Sequence, residues 1–509
     1  MVERIFIVDD VYEIDAGDTL ILNDGWVGIQ LRDTYINDGR DIYNDPGPHL
    51  INRGHILMTN SRTDVIPIDD WIVGIGHDSE NSFYFFNSSV TNEIGASIEI
   101  NHYGINGKAT AFHSISWSAD FYNKGLVKVT AQKIAIGIET WNGNHASNLE
   151  KSNFIFENYG DISIYSDRDA FGTLFYNGAI ADNSGLIQVE GGHRAWGVLI
   201  LGHQPELTNS GTIRAIQSFG IEKSIGVYVS GGVYGSHIIN TGVIEADIAI
   251  REYDLNPQFG RSSELIENSG LIIGDIELNF GLDEIRNTGE IRGDISFADF
   301  ADVFDGADGL VVGSIHMGGG DDRVSSGRGD DRIDGGDGDD WIDAGAGDDV
   351  IHGGVGEDHI IGGDGWDVVL MNGSIHDYRI LRSGDNFIIK GPDGTDYLQG
   401  VEVIRFEDGS EIDLARQYGS DGAIASFNGN DQTNNKYTGL AETSGGVEND
   451  AALTKLLFGG ASMTREWSSL LDERPGGPSF DPMPSFKLTG FVAVETEAPI
   501  PAPSHWAWE

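Results

Sequence analysis

Residues 317–370 divide without remainder into six nonapeptides: MGGGDDRVS, SGRGDDRID, GGDGDDWID, AGAGDDVIH, GGVGEDHII and GGDGWDVVL. The sixth position is aspartate each time (Asp322, Asp331, Asp340, Asp349, Asp358, Asp367), and the eighth is aliphatic each time (Val324, Ile333, Ile342, Ile351, Ile360, Val369). Few folds accept such a period. Glycine in the second and fourth positions weakens helix and strand alike, and the segment holds 15 acidic against 3 basic side chains, which repel one another when stacked. A flexible acidic linker has no reason to hold an aliphatic residue on a beat of nine. The pattern predicts short stacked strands joined by glycine turns around a thin apolar core. Two aspartate columns follow, Asp322, Asp340 and Asp358 on one side, Asp331, Asp349 and Asp367 on the other. Something outside the chain must offset their charge.

The repeat resembles G-G-x-G-x-D-x-U-x, the nonapeptide of the RTX (hemolysin-type) calcium-binding proteins, with Met317, Ser326 and Ala344 departing from the first glycine. The resemblance implies a calcium-binding parallel β-roll with Ca2+ as its cofactor. Calcium takes about six to eight oxygen ligands from carboxylates and backbone carbonyls. The metal-ligating candidates are therefore Gly318, Gly320, Asp322, Gly327, Gly329, Asp331, Gly336, Gly338, Asp340, Gly345, Gly347, Asp349, Gly354, Gly356, Asp358, Gly363, Gly365 and Asp367. The stretch that follows resembles the usual ending of such arrays: HDYRILRSGDNFIIK reads as a hairpin with a Ser-Gly-Asp-Asn turn, and DYLQGVEVIRFEDGSEIDL as a cap. The resemblance also implies an extracellular protein, exported by type I secretion machinery through an uncleaved C-terminal signal.

Upstream, N-x-G-x-(I/L/V) recurs from Asn23, Asn52, Asn123, Asn158, Asn183, Asn209, Asn240, Asn268 and Asn287. NEIG at Asn92 reads as a bulged copy, and residues 60–120 otherwise fit poorly. In mid-chain a second mark follows at a fixed distance: Asn123, Asn158 and Asn183 precede Gly137, Gly172 and Gly197 by 14 residues, and Asn209 precedes Gly226 by 17. Asparagine and glycine are expected to supply left-handed or tight backbone at a corner, with aliphatics facing inward. Two motifs at a shared offset suit coils stacked in parallel better than an antiparallel sandwich with recurrent turns. The pattern runs into the nonapeptides: from Gly274, Gly293 and Gly313, aspartate falls nine residues on (Asp283, Asp302, Asp322) and an apolar residue eleven on (Ile285, Phe304, Val324). The expected fold is all-β: a right-handed parallel β-helix over 1–312, continuing into a calcium-binding parallel β-roll over 313–370 and its cap over 371–415. A linker and partly disordered C-terminal tail with a secretion signal are expected over 416–509.

Composition narrows the function. With 81 acidic and 31 basic residues, a formal charge of -50, the chain lacks the basic face that nucleic acid or an anionic membrane requires. It has no cysteine, so no disulfide framework. No run approaches the roughly 18 apolar residues of a membrane span, and MVERIFIVDDVYEID reads as no cleavable signal peptide. H-E-x-x-H, G-x-S-x-G and a phosphate-binding glycine loop are missing. A β-helix followed by RTX repeats also resembles alginate-modifying epimerases and some polysaccharide lyases. Aligning coils on Gly172, Gly197 and Gly226 stacks Asp169, Arg194 and Lys223 beside Arg168, His193 and Glu222. Such a column could neutralise a uronate and abstract its C5 proton, or simply be a solvated charge ladder. YDLNPQFG lacks the aspartate-proline-histidine signature of the epimerases. The expected role is a secreted calcium-binding surface, matrix or adhesion component, with extracellular polysaccharide or a cell surface as partner; the alternative is a polyuronate lyase or epimerase on the same scaffold.

Overall fold

Short alternating segments such as Ile155–Asn158, Ile180–Asn183 and His237–Asn240 bury every second residue, the signature of strands with one face on a core. In the computed structural model they stack in parallel, each on its counterpart one coil earlier. The structure describes residues 5–414 except 9–10, 24–26, 33–48, 61–70, 78–87, 115–118, 141–153, 177–178, 202–204, 221, 231–234, 253–262 and 280. All described residues belong to one unit, Met1–Glu442. The linker and tail expected over 416–509, and YDLNPQFG, lie outside them.

A coil of the first part has three strands. The first ends in asparagine, as in Glu206–Asn209; the second follows a two-residue turn, as in Thr212–Gln217; the third carries the glycine column, as in Arg194–Leu201. Stacking makes three parallel ribbons. In the first, Asn52 pairs in register with Asn92, and the series runs through Asn123, Asn158, Asn183, Asn209, Asn240 and Asn268 to Asn287. One sequence reading holds here and one is corrected. Asn92 is a full member of this series despite its displaced glycine. Asn23 is not: it ends Thr19–Asn23 in the second ribbon, opposite Thr59, and Ile14 takes the asparagine place in that coil.

The glycines of the N-x-G turns also do a different job from the one expected. Gly160, Gly185 and Gly211 are not among the residues with positive φ. A Cβ on any of them would overlap the carbonyl oxygen of the equivalent glycine one coil back, so close stacking, not left-handed backbone, demands glycine. The same holds in the third ribbon, where Gly137, Gly172 and Gly197 each face the carbonyl of the next glycine in the column.

The second ribbon ends at Leu310–Val312. From Arg323 each coil keeps two strands, such as Trp341–Asp343 and Val350–Val355, and glycine turns replace the third side. The interior does not break at this change. Ile266, Ile285, Phe304, Val324, Ile342, Ile360 and Leu398 form one in-register column, and Ile295, Ile315, Ile333, Ile351, Val369 and Ile404 form its opposite. Full burial of one such side chain contributes about 1.5–3 kcal/mol, and no coil achieves it without its neighbours. The chain is thus an all-β solenoid that passes from β-helix to β-roll. The antiparallel hairpin Arg379–Ser383 and Asn386–Lys390, turning at Gly384 as the sequence suggests, is inserted before the last parallel strands of the roll, Thr395–Gln399 and Val403–Phe406. Among the described residues no helix is long and apolar enough to cross a membrane.

Candidate metal site

The ribbons carry two kinds of polar ladder. In the first part, each asparagine amide donates through Nδ2 to Oδ1 of the next: Asn52 to Asn92, Asn92 to Asn123, and on to Asn268 and Asn287, at 2.7–2.8 Å. Nδ2 also donates to a backbone carbonyl, as from Asn209 to Val243 at 3.1 Å. A carboxamide has both donor and acceptor, so a buried column of them satisfies itself.

The aspartates of the roll stack likewise but lack a donor. Along one side, the Asp322 amide donates to Oδ1 of Asp340 at 2.9 Å and that of Asp340 to Asp358 at 3.0 Å. Along the other, Asp331 donates to Asp349 at 2.8 Å and Asp349 to Asp367 at 3.0 Å. The two columns read from the sequence are therefore the two hydrogen-bonded ladders. Only Oδ1 is used. Oδ2 of Asp322, Asp340, Asp349, Asp358 and Asp367, and both oxygens of Asp331, are buried with no hydrogen-bond partner. Burial pushes these carboxyls far above the usual range: Asp340 to about 8, Asp322 and Asp349 to about 7, Asp331 and Asp358 to about 6, and Asp367 upward as well. A buried acceptor left open on every turn costs about 1–3 kcal/mol, and more when charged.

The turns that carry them need glycine for its backbone. Gly318, Gly320, Gly327, Gly329, Gly336, Gly338, Gly345, Gly347, Gly354, Gly356, Gly363 and Gly365 all have φ between +94° and +154°, which L side chains rarely adopt. Hard oxygens, negative charge and a water-poor setting are the donor chemistry of a calcium ion, and these orphaned oxygens fit one.

Sequence reading missed several members of this system. The ladder of Asp322 continues backward, the Asp302 amide donating to Asp322 and that of Asp283 to Asp302, each at 2.7 Å. It continues forward to Asp396, whose Oδ1 lies 3.4 Å from the Asp358 amide. The other ladder closes on Glu402, which accepts from the Asp367 amide at 2.9 Å. At the head of the longer ladder, Glu252, Glu264 and Asp283 are buried with ligand-type atoms within 4.8 Å of one another. The constant spacing of nine and eleven residues after Gly274 and Gly293 was the signal for Asp283 and Asp302; no signal short of counting through the hairpin marks Asp396.

The outer charge column is partly assembled. Asp169 pairs in register with Arg194, which grips both its oxygens at 3.1 and 3.0 Å. His193 Nδ1 lies 3.5 Å from Asp169, and Glu222 lies 3.8 Å from Arg194. Lys223 is drawn elsewhere, to Asp275 at 2.8 Å. Arg168 contributes its backbone carbonyl, which accepts from the His193 amide at 2.7 Å.

Residues 317–351 and 343–370 match the family model of the RTX calcium-binding nonapeptide repeat, in four copies. No curated protein and no solved structure matches the chain.

Proposed function

We propose that the chain is a secreted calcium-binding protein of RTX type, in which calcium completes the fold of the roll and the β-helix serves as a surface, matrix or adhesion component. The observation that carries this reading is the open, buried carboxylate oxygen on each of the six turns. Asp322, Asp331, Asp340, Asp349, Asp358 and Asp367, with carbonyls of the glycine turns Gly318, Gly320, Gly327, Gly329, Gly336, Gly338, Gly345, Gly347, Gly354, Gly356, Gly363 and Gly365, would hold the ions. Calcium supplies positive charge and oxygen coordination where the chain offers only acceptors.

Export fits the same chemistry. Extracellular modules bind calcium at about 10⁻⁴–10⁻³ M, so the roll would stay open in a calcium-poor cytosol, suited to passage through type I secretion machinery, and close outside. The domains expected from the sequence, 1–312, 313–370 and 371–415, would then differ in calcium dependence while sharing one core. Circular dichroism of the full chain in chelator and in millimolar calcium tests the reading. A gain of β signal and of thermal stability on adding calcium is expected; identical spectra and melting curves contradict it.

A second reading, a polyuronate lyase or epimerase, draws on the cluster of Asp169, His193, Arg194 and Glu222. Its arginine already spends two donors on Asp169, which favours a charge ladder. Product formed from alginate or pectate by the calcium-loaded protein, and lost in His193→Ala, would reverse that preference.

A further inference from the structure

We propose that the calcium ladder is longer than the nonapeptide array: Asp302, one coil before it, and Asp396, in the cap after it, each supply a carboxylate to a further calcium site, stacked on Asp322 and Asp358. This rests on reading the ladders as calcium sites.

Residues 297–305, FADFADVFD, have lost every glycine of the repeat yet keep aspartate in the sixth place and an apolar residue in the eighth. They nonetheless adopt the turn of the roll. Asp299 bridges Gly319 as Gly319 bridges Asp337, and the Phe300 amide donates to the Gly319 carbonyl. Phe300 stands where the nonapeptides have their fourth-position glycine, at φ +127° against +135° for Gly320; among the described residues no other non-glycine has a positive φ. Asp302 is 1% exposed, and its Oδ1 accepts the Asp283 amide. Its own amide donates to Oδ1 of Asp322, whose Oδ2 is buried without a partner. The charges acting on Asp302 come from Asp283, Asp322 and Glu252, all acidic, and burial pushes it up to about 8. A buried carboxylate stacked on the open oxygen of Asp322, with only acidic groups acting on it, continues the stacking of the array.

The cap repeats the arrangement in disguise. Residues 391–399, GPDGTDYLQ, have glycine at places one and four, aspartate at six and leucine at eight, and are separated from the sixth nonapeptide by the hairpin. Gly394 has φ +150° and bridges Gly356, and Tyr397 stacks on His359 with ring centroids 4.7 Å apart. Asp396 is 4% exposed, burial pushes it up to about 8, and Oδ2 of Asp358 and Oδ1 of Asp393 are buried without partners. The opposite ladder gains no such turn before it: the preceding coil there has the strand Leu310–Val312, and the Leu310 side chain packs over Gly329.

Equilibrium dialysis of the full chain against calcium, with atomic emission counting bound ions, tests this. Asp302→Asn and Asp396→Asn each keep an acceptor for the amide above while removing the charge. Each variant is expected to bind fewer calcium ions per chain than the wild type, while Asp299→Asn, an exposed aspartate of the same coil, should match it. Wild-type counts in both ladder variants would overturn the proposal while leaving the array intact as a calcium binder. A wild type that binds no calcium would instead remove the reading beneath it. Circular dichroism in calcium checks that each variant is folded; if Asp302→Asn is not, Asp396→Asn at the far end decides alone.

Discussion

The two halves of the solenoid differ in the polar ladder they bury, and the two ladders stand in neighbouring columns that overlap in one coil, at Asn287 and Asp283. In the coils from Asn52 to Asn287 the inward polar column is a carboxamide, which donates to the next coil and accepts from the last. In the coils from Asp322 to Asp367 the ladders are carboxylates, which at most accept a backbone amide on one oxygen and leave the other over. The strand pairing is parallel and in register in both, and the apolar columns run through. An amide ladder closes on itself and needs no partner from solution. A carboxylate ladder leaves an acceptor open, which a cation would complete on the proposed reading, so that the second half would be conditional and the first half not.

The comparison breaks most readily where the halves share a core. Phe304 is fully buried between Ile285 and Val324. Phe304→Asp should cost about 4 kcal/mol or more by burying an unpaired charge, lowering the melting temperature and the calcium affinity together. Earlier melting with unchanged affinity would mean that the halves are independent.

Asn209→Asp puts a carboxylate into the amide ladder. It removes the donor to Asn240 at 2.7 Å and sets a carboxylate against that carbonyl oxygen. A loss of about 3 kcal/mol is expected, read from urea unfolding. The reverse change, Asp340→Asn, should stabilise the calcium-free roll and lower calcium affinity by about tenfold, about 1.4 kcal/mol. Asp322→Asn should lose as much affinity as Asp340→Asn, because Asp302 continues the ladder beyond it; a smaller loss would make Asp322 an edge.

Acid sharpens the contrast further. The folded-state carboxyls of Asp340, Asp322, Asp349, Asp331 and Asp358 titrate at about 8, 7, 7, 6 and 6, above the ordinary aspartate value near 4. In that window the folded roll holds more protons than the unfolded chain, so stability falls as pH rises. In chelator the roll should therefore be most stable near pH 4 and lose stability progressively up to about pH 8, whereas the asparagine amides themselves do not titrate. Thermal melts across that range check it; a roll that gains stability with pH in chelator contradicts the assignment. The smallest effect is expected at His193, an exposed side chain beside an already paired Asp169. His193→Ala should shift stability by less than about 0.5 kcal/mol.

What could be read from the sequence was whatever repeats at constant spacing. The nonapeptide aspartates, the glycine column and the register of Ile285, Phe304 and Val324 needed only counting. Asn92 was obscured because its glycine comes one residue late, and Asn23 misled because the same letters fall in another ribbon. Asp302 was visible as a position but not as part of a glycine turn, since Phe300 holds the left-handed backbone there. Asp396 was hidden because a hairpin interrupts the period. The amide relay and the loss of the second ribbon are properties of stacked coils and leave no mark in a single one.

The central claim, that one ladder needs calcium and the other does not, is tested most directly by hydrogen exchange on the full chain, resolved by segment. In chelator the amides of 317–370 should exchange rapidly while those of 155–287 stay protected, and millimolar calcium should protect the former and leave the latter unchanged. Equal protection of both segments in chelator, or a calcium effect of the same size on both, would contradict it.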